Sequence, residues 1–312
     1  MKFHNSIGML LLLPLLLFSC DSSEKSALDK GISEKKAVIK ETKMRNVSEQ
    51  FKAYWFDGTA EITSYELVQE RYGELRAGTA VNIFVTEDFL AEAQVKANNA
   101  SESNIPVLKL NSTKNFLTGI YPYSIMTSTF NPVNTQQHAL KVSNSVQEWC
   151  GQAYIQLNNK AAFEVLSHSY FEGEADQTFS LPKTWLENEL WNLIRLNPEE
   201  LPTGDISVIP SLEYIRLLHK TPMAYPAYAS LKQGDSLTVY AINYPELQRQ
   251  LTIYFKSVFP YEIEKWEETN ATDPKDTLRL KTTATKIKSI RSAYWTKNSN
   301  KYVALRDSLG LN

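Results

Sequence analysis

Two stretches of sequence, LTVYAI at 237–242 and LTIYFK at 251–256, decide the fold class of this chain. Apolar residues recur at every second position in both, which is typical of half-buried antiparallel strands. The same pattern returns at 81–86, 140–143 and 153–158. The residues predicted to form the apolar faces include Leu237, Val239, Ala241, Leu251, Ile253, Phe255, Val81, Ile83 and Val85.

Turn-forming residues separate these strands and helices are few. The turns are predicted at 57–58, 72–73, 232–235 and 270–274. One clear helix is predicted at 183–196, between Pro182 and Pro198, and shorter helical segments at 301–309 and within 38–51. The pattern predicts an α+β fold, mainly antiparallel β, with a large curved sheet or open half-barrel and one or two packing helices.

The N-terminus has the features of a bacterial export signal. Lys2 precedes an almost wholly apolar run at 7–18, which is shorter than the roughly 20 residues that span a bilayer. The run ends in Leu17-Phe18-Ser19-Cys20, which resembles the lipobox of bacterial lipoproteins. The resemblance implies cleavage before Cys20 and acylation of its thiol, and two or more acyl chains hold a protein stably on a membrane. The alternative is an ordinary secretory signal followed by an unrelated cysteine.

The predicted organisation follows from this signal and from composition. Residues 1–19 form the lipoprotein signal peptide. Residues 20–50, rich in Ser, Lys and Glu, form the lipidated cysteine and a flexible tether. Residues 51–312 form a β-rich envelope domain with a candidate seam at 197–204. The N-terminal lipid predicts a location in the cell envelope; inner membrane, outer membrane and cell surface all remain open.

The net charge of −2 argues against a dedicated nucleic-acid-binding protein. A basic C-terminal stretch could still meet anionic headgroups or acidic glycans, and the simpler interpretation is a solvated strand face. It comprises Arg279, Lys281, Lys286, Lys288, Arg291, Lys297 and Lys301.

Candidate catalytic groups are sparse. Cys150 with His138 or His168 could form a thiol–imidazole pair, although a packed core cysteine is the simpler interpretation. The paired carboxylates Glu172/Glu174 and Glu262/Glu264 would each share a strand face, as a glycosidase pair or a charged strand edge would. Neither the histidine spacing nor any glycine-rich loop predicts a metal or a cofactor.

Four segments carry family resemblances. The segment 257–268, with Pro260-Tyr261-Glu262 near its centre, resembles strands of LolA-type half-barrel envelope proteins. The segments 54–58, 119–124 and 147–151 resemble those of an uncharacterised Bacteroidota lipoprotein family that often carries the label "septum formation inhibitor Maf". The Ser-x-Ser-x-x-Arg start of true Maf pyrophosphatases does not open this body, so the resemblance implies no such activity.

The sequence favours a non-catalytic envelope lipoprotein that binds an amphipathic ligand or a protein partner on the concave side of its sheet. An envelope hydrolase acting on glycan or peptide is the alternative, and it requires Cys150 or a carboxylate to meet a histidine in a polar cleft. A purely structural surface protein would have no pocket and a large exposed apolar patch.

Overall fold

The computed structural model describes residues 43–270 and 279–311. The signal peptide, Cys20 and the tether up to residue 42 lie outside the described residues, as does most of the predicted turn 270–274. Thr42–Asn312 forms one compact unit. No helix within the described ranges is long and apolar enough to cross a membrane.

The described residues form sixteen strands that belong to one sheet. The strands are β1 (Ala60–Arg71), β2 (Glu74–Leu90), β3 (Val95–Lys96), β4 (Ile105–Thr118), β5 (Tyr121–Pro132), β6 (Lys141–Glu148), β7 (Gly151–Asn159), β8 (Phe163–Ser169), β9 (Gln177–Leu181), β10 (Trp185–Leu186), β11 (Gly204–Ile209), β12 (Tyr225–Lys232), β13 (Leu237–Tyr244), β14 (Arg249–Lys256), β15 (Ile263–Thr269) and β16 (Lys281–Ser292). The helices are α1 (Glu49–Trp55), α2 (Glu187–Leu196) and α3 (Leu212–Leu217), and 3₁₀ segments lie at Pro198–Glu200, Tyr294–Thr296 and Asn300–Leu309.

The sheet consists of two meanders, β11 to β16 and β1 to β9, which meet where β16 pairs with β1. All neighbouring strands are antiparallel except β10 and β11. The two edge strands, β9 and β10, are consecutive in sequence, and the four Cα steps from Leu181 to Trp185 span at most about 15 Å. The sheet must therefore curve until its edges approach each other. The predicted large curved, open antiparallel sheet is confirmed.

The predicted strands are present, but two of them face the opposite way from the prediction. In β14, Leu251, Ile253 and Phe255 are buried as expected. In β13 the buried residues are instead Thr238, Tyr240, Ile242 and Tyr244, and in β2 they include Ala80, Asn82 and Phe84. Large tyrosines and a polar Asn82 take the inner face, while the Val81–Val85 face packs outside against Leu309 and Leu311. Both faces of β2 are thus covered, and alternation alone could not select the inner one.

The helix predicted at 183–196 begins four residues later, because Trp185 and Leu186 pair with β11 as β10. Glu189 supplies the N-terminal cap of α2, since its carboxylate accepts the Leu186 N–H at 3.0 Å. The predicted C-terminal helical segment forms as the 3₁₀ segment Asn300–Leu309. The described part of 38–51 becomes helical only from Glu49.

Helices α2 and α3 pack on the inner face of the sheet, α2 against β4 and β5 and α3 against β5, β6 and β7. Leu190, Leu193 and Ile194 lie on one face of α2, and all three are buried in the main core. Asn192 fixes the position of α2 further, because its amide donates to the carbonyl of Leu108 at 2.7 Å. The segment 197–203 leads from α2 to β11, which belongs to the same sheet.

Candidate functional site

A cavity of about 260 Å³ lies between the inner face of the sheet and the two helices α2 and α3. Its size is near the lower limit of the pockets that hold small organic ligands. The sheet contributes residues from β1, β4, β5, β14 and β15. The lining residues are Gln69, Glu70, Arg71, Tyr72, Gly73, Leu110, Ser112, Lys114, Thr127, Thr129, Glu187, Asn188, Trp191, Ser211, Glu213, Tyr214, Leu217, Leu218, Leu251, Trp266, Glu268 and Asn270.

One wall of the cavity is aromatic and aliphatic. Trp191 of α2 and Trp266 of β15 meet edge to face, with ring centroids 5.3 Å apart. Leu110, Leu217 and Leu251 are all more than nine-tenths buried and extend this wall. Such a surface favours the apolar part of a ligand through the hydrophobic effect.

The remaining walls carry buried charges that are paired with each other. Lys114 of β4 donates to Glu213 of α3 at 2.6 Å. Burial lowers the pKa of Lys114, but the carboxylates of Glu213 and Glu268 outweigh this effect and the net pKa is raised. Lys114 is therefore cationic although its side chain is only 10% exposed.

Glu187 and Glu268 bring further charges to the cavity lining, and both bind Arg249. The Arg249 guanidinium binds Glu187 of α2 through two nitrogens and donates to Glu268 of β15 at 2.7 Å. Tyr244 also donates to Glu187, at 2.7 Å. Burial raises the pKa of Glu268, but Arg249 and Lys114 outweigh it, so the carboxyl has a pKa below its ordinary value and is ionised. The cavity lining is thus amphipathic, with apolar side chains beside fixed charges.

The end of the sheet at which the cavity opens is set by topology. Because successive strands alternate in direction, the β1–β2, β4–β5 and β6–β7 hairpins all turn at the same end. Gly73, in the first of these turns, has φ of +72°, which glycine adopts without strain. The turn places Arg71 and Tyr72 in the cavity lining, together with Leu217, the last residue of α3, and Leu218, which follows it.

Cys150 and the two candidate histidines do not form a site. Cys150 lies exposed in the β6–β7 turn, so the expectation of a packed core cysteine is wrong. His138 precedes β6 and Cys150 follows it, which separates them by the length of that strand, roughly 25 Å. His168 is opposite Tyr154 in β7, four residues from Cys150, or about 13 Å along the strand. The Glu148 carboxylate, which accepts a hydrogen bond at this turn, also raises the pKa of the Cys150 thiol and disfavours the nucleophilic thiolate.

Each of the three histidines in the described residues contacts a carboxylate, but away from the cavity. His138 Nδ1 lies 2.8 Å from Glu189 Oε1, and Glu189 is already occupied by the backbone N–H groups of Leu186 and Ala139. His168 is 3.0 Å from Asp176, and both side chains are about half or more exposed. His219 is 2.5 Å from Glu174, which also binds Arg216. These contacts cap a helix or tie surface loops together, and none of the three histidines lines the cavity.

The two predicted carboxylate pairs, Glu172/Glu174 and Glu262/Glu264, lie in different kinds of structure. Glu172 and Glu174 lie in the loop between β8 and β9, so the prediction that they share a strand face is wrong. Glu262 and Glu264 both contact Lys286, at 3.1 and 3.0 Å, and form a surface ion-pair cluster. In the part of the chain that the structure describes, no group of three or more His, Cys, Asp or Glu residues could hold a metal ion.

Three of the seven residues of the basic C-terminal stretch are paired with acidic neighbours. Lys281 binds Glu267 at 2.8 Å and Arg291 binds Asp57 at 2.8 Å, in addition to the Lys286 contacts. The stretch is therefore partly neutralised, and its charge lies on a solvated strand face and in the segment that follows it.

No family model, curated protein or solved structure matches this chain. The two family resemblances therefore stay predictions, and function must be inferred from the geometry alone.

Proposed function

We propose that this protein is a membrane-anchored envelope lipoprotein that binds a small amphipathic ligand inside its curved sheet. The cavity between α2, α3 and the sheet carries the proposal. It combines an apolar wall around Trp191 and Trp266 with charged groups held in fixed positions around Lys114. This combination suits a ligand with an apolar body and one polar end.

The fixed charges support binding in preference to catalysis. A catalytic acid or base needs a pKa near the working pH. Lys114 and Glu268, two ionisable groups of the cavity wall, are instead held charged by their partners, since the pKa of Lys114 is raised and that of Glu268 is lowered. The hydrolase alternative requires a histidine beside a nucleophile or carboxylate in the cleft, and the observed histidine–carboxylate contacts lie elsewhere.

Filling the cavity tests this proposal. Ser112 lines the cavity from β4, and Ser112→Trp would place an indole in the ligand volume. Ser124→Trp is the matched control, because Ser124 is exposed on the neighbouring strand β5. Both variants and the wild type would be isolated from their own envelope in lipid nanodiscs, and bound small molecules identified by native mass spectrometry and solvent extraction.

The expected result is a small molecule that co-purifies with the wild type and with Ser124→Trp and is absent from Ser112→Trp. The same molecule at equal occupancy in all three proteins, or none in any of them, contradicts ligand binding in this cavity.

A protein partner is the second candidate, supported by the hairpin tips at the same end of the sheet. Tyr72, Ile120 and Trp149 are 58%, 83% and 69% exposed at the tips of three hairpins. Exposed aromatic side chains such as those of Tyr72 and Trp149 are enriched at protein interfaces. Loss of a cross-linked envelope protein in Ile120→Ser/Trp149→Ser, with the small molecule retained, would favour this candidate over ligand carriage.

The lipid anchor has its own test. Wild-type protein should incorporate labelled palmitate and Cys20→Ser should not, because the thiol of Cys20 is the expected acceptor. Labelling that persists in Cys20→Ser would contradict the anchor without affecting the cavity.

A further inference from the structure

We infer that the ligand of the cavity is an anionic amphiphile whose carboxylate or phosphate headgroup binds Arg71 at the cavity mouth. The inference rests on the proposed function and specifies the ligand class. Arg71 lies at the C-terminal end of β1 and lines the cavity beside Leu217 and Leu218.

The Arg71 guanidinium is positioned without a counter-ion. It donates to the Leu217 carbonyl at 2.8 Å and to the hydroxyls of Tyr72 and Tyr123 at 3.2 and 3.3 Å. Both tyrosine rings also lie under it, 4.2 and 5.4 Å from the ring centroids. Among the described residues no carboxylate lies within 4 Å of it, whereas Lys114, Arg195 and Arg249 each have one.

These contacts orient the guanidinium but do not neutralise it. Burial lowers the pKa of Arg71, but the hydrogen bond and charge interaction with Tyr123 outweigh burial, so the pKa is raised and the group stays cationic. The Nε of Arg71 is buried and has no hydrogen-bond partner among the described residues. A partly buried cation without a counter-ion is the arrangement that an anionic headgroup completes, because arginine forms strong charge-assisted hydrogen bonds with carboxylate and phosphate.

The surroundings of the mouth strengthen the preference for an anion. Arg216 of α3 is close enough for its charge and that of Arg71 to repel, and this repulsion contributes to the lowered pKa of Arg216, which is caused first by burial. Glu174 is the carboxylate that binds Arg216, at 3.2 Å. Glu70, in the same turn, accepts the Gly73 N–H at 3.2 Å. Of the two guanidinium groups, Arg71 is therefore the one without a carboxylate within 4 Å among the described residues, and it is the one that an anionic headgroup would pair with.

A second unsatisfied group lies deeper in the cavity on the same face of β1. Gln69 is 94% buried, its Nε2 donates to Thr282 and to the backbone of Glu70, and its Oε1 has no partner among the described residues. Residues two apart on a strand lie about 7 Å apart on one face. A ligand with a hydroxyl near its anionic headgroup could therefore satisfy Gln69 while its chain reaches Trp191 and Trp266.

Calorimetric titration with four ligands that share a ten-carbon body tests the inference. The probes are decanoate, decyl phosphate, 3-hydroxydecanoate and decanol, which differ only in their polar groups. Each is titrated into the full chain in lipid nanodiscs, and discs that carry Ser112→Trp supply the correction for partition into lipid. Decanoate against decyl phosphate distinguishes a carboxylate source from a phosphate source.

Wild-type protein should bind at least one of the two simple anions about tenfold or more tightly than decanol, and 3-hydroxydecanoate more tightly than decanoate. Arg71→Gln should abolish the preference over decanol and leave decanol binding unchanged. Arg71→Lys, which keeps the charge, should retain part of it. Lys288→Gln removes an exposed charge of β16 and should have no effect.

The outcomes separate this inference from the proposed function. Equal binding of decanol and both anions by the wild type, or an anion preference that persists in Arg71→Gln, overturns the headgroup assignment and leaves ligand binding intact. No binding of any probe beyond the Ser112→Trp discs overturns both. Circular dichroism of Arg71→Gln establishes that a loss of binding is not a loss of fold, and Arg71→Lys provides the test if that variant does not fold.

Discussion

The two ends of α2 are held to the sheet by the same chemistry in different surroundings. At its C-terminal end, Arg195 binds Glu61 through two nitrogens at 2.6 Å, and both side chains are only 1% exposed. At its N-terminal end, Glu187 binds Arg249, and these side chains are 2% and 1% exposed. The difference is that Glu187 lines the cavity and neither Glu61 nor Arg195 does.

The surroundings of the C-terminal pair exclude water. The Arg195 guanidinium lies 5.0 Å from the Trp55 ring and 4.8 Å from the Phe84 ring, and its Nε donates to the Pro260 carbonyl. Tyr54 donates to Glu61 at 2.5 Å. Each side-chain nitrogen of Arg195 and each carboxylate oxygen of Glu61 therefore makes a hydrogen bond within the protein, and the pair fixes the helix to the sheet.

The N-terminal pair instead borders the cavity, which Glu187 lines. A buried ion pair is weak evidence for stability, because desolvation cancels much of its attraction. This holds for both pairs, so what separates them is their neighbourhood, and under the proposed function the charge beside the cavity contributes to ligand binding. Burial alone therefore does not distinguish an ion pair enclosed by protein from one that lines a cavity.

The largest expected effect is on the closed pair. Arg195→Met leaves the Glu61 carboxylate buried without a cation and should lower the free energy of unfolding by about 3–5 kcal/mol. Urea denaturation monitored by circular dichroism measures it. Adding Glu61→Leu to this variant should restore part of the loss, because the isolated charge is removed. A change below about 1 kcal/mol in the single variant would contradict a structural role for the pair.

A smaller effect is expected at the cavity. Arg249→Met removes the cation from Glu187 and Glu268, but water can enter the adjacent cavity and solvate their carboxylates. We expect a loss of about 2–3 kcal/mol by the same measurement, less than for Arg195→Met. A loss equal to or larger than that of Arg195→Met would show that the two ends of α2 do not differ in access to water.

The pH dependence of the free energy of unfolding tests the Arg195–Glu61 pair separately. Burial raises the pKa of Glu61, but Arg195 outweighs it and the folded-state pKa lies below the ordinary 4.5. As pH falls below that value the unfolded chain binds the proton first, so the contribution of Glu61 is complete above about pH 4.5 and lost below it. In Arg195→Met the cation is lost, and burial, which is the largest influence on this carboxyl, should raise its pKa despite the hydrogen bond from Tyr54. Its stability deficit relative to the wild type should therefore narrow as pH falls from 7 to 4, and a constant deficit would contradict this.

The smallest effect is expected outside both pairs. Cys150→Ser changes an exposed turn residue and should alter the free energy of unfolding by less than about 0.5 kcal/mol. It should also leave the co-purified ligand unchanged. Accumulation of an uncleaved envelope peptide or glycan in this variant, at unchanged stability, would instead support the hydrolase alternative.

The strand-rich fold could be predicted from period-two alternation and turn residues, because both are local properties of the sequence. The face of β2 and β13 that lies inside could not be predicted. Val81 and Ile83 pack outside against Leu309 and Leu311, which are distant in sequence, while Tyr240 packs inside. The first residue of α2 could not be predicted either, because Trp185 pairs with Val208, which is distant in sequence, and so lies in a strand.

The cavity was predicted only as a concave binding side. Its charged pairs join residues far apart in sequence, such as Lys114 with Glu213 and Arg249 with Glu187. No spacing rule relates such residues, since the fold alone brings them together. Arg71 gave one local signal, since it directly precedes the predicted turn at Tyr72-Gly73, but a charged residue beside a turn is too common to indicate a site.

The central claim is that the volume bordered by the N-terminal end of α2 holds a ligand. Native mass spectrometry of the protein isolated from its own envelope, wild type beside Ser112→Trp, measures this directly. We predict an added small-molecule mass on the wild type that is missing from the filled variant. Identical masses after subtraction of the substitution, in two variants of equal stability, would contradict the claim.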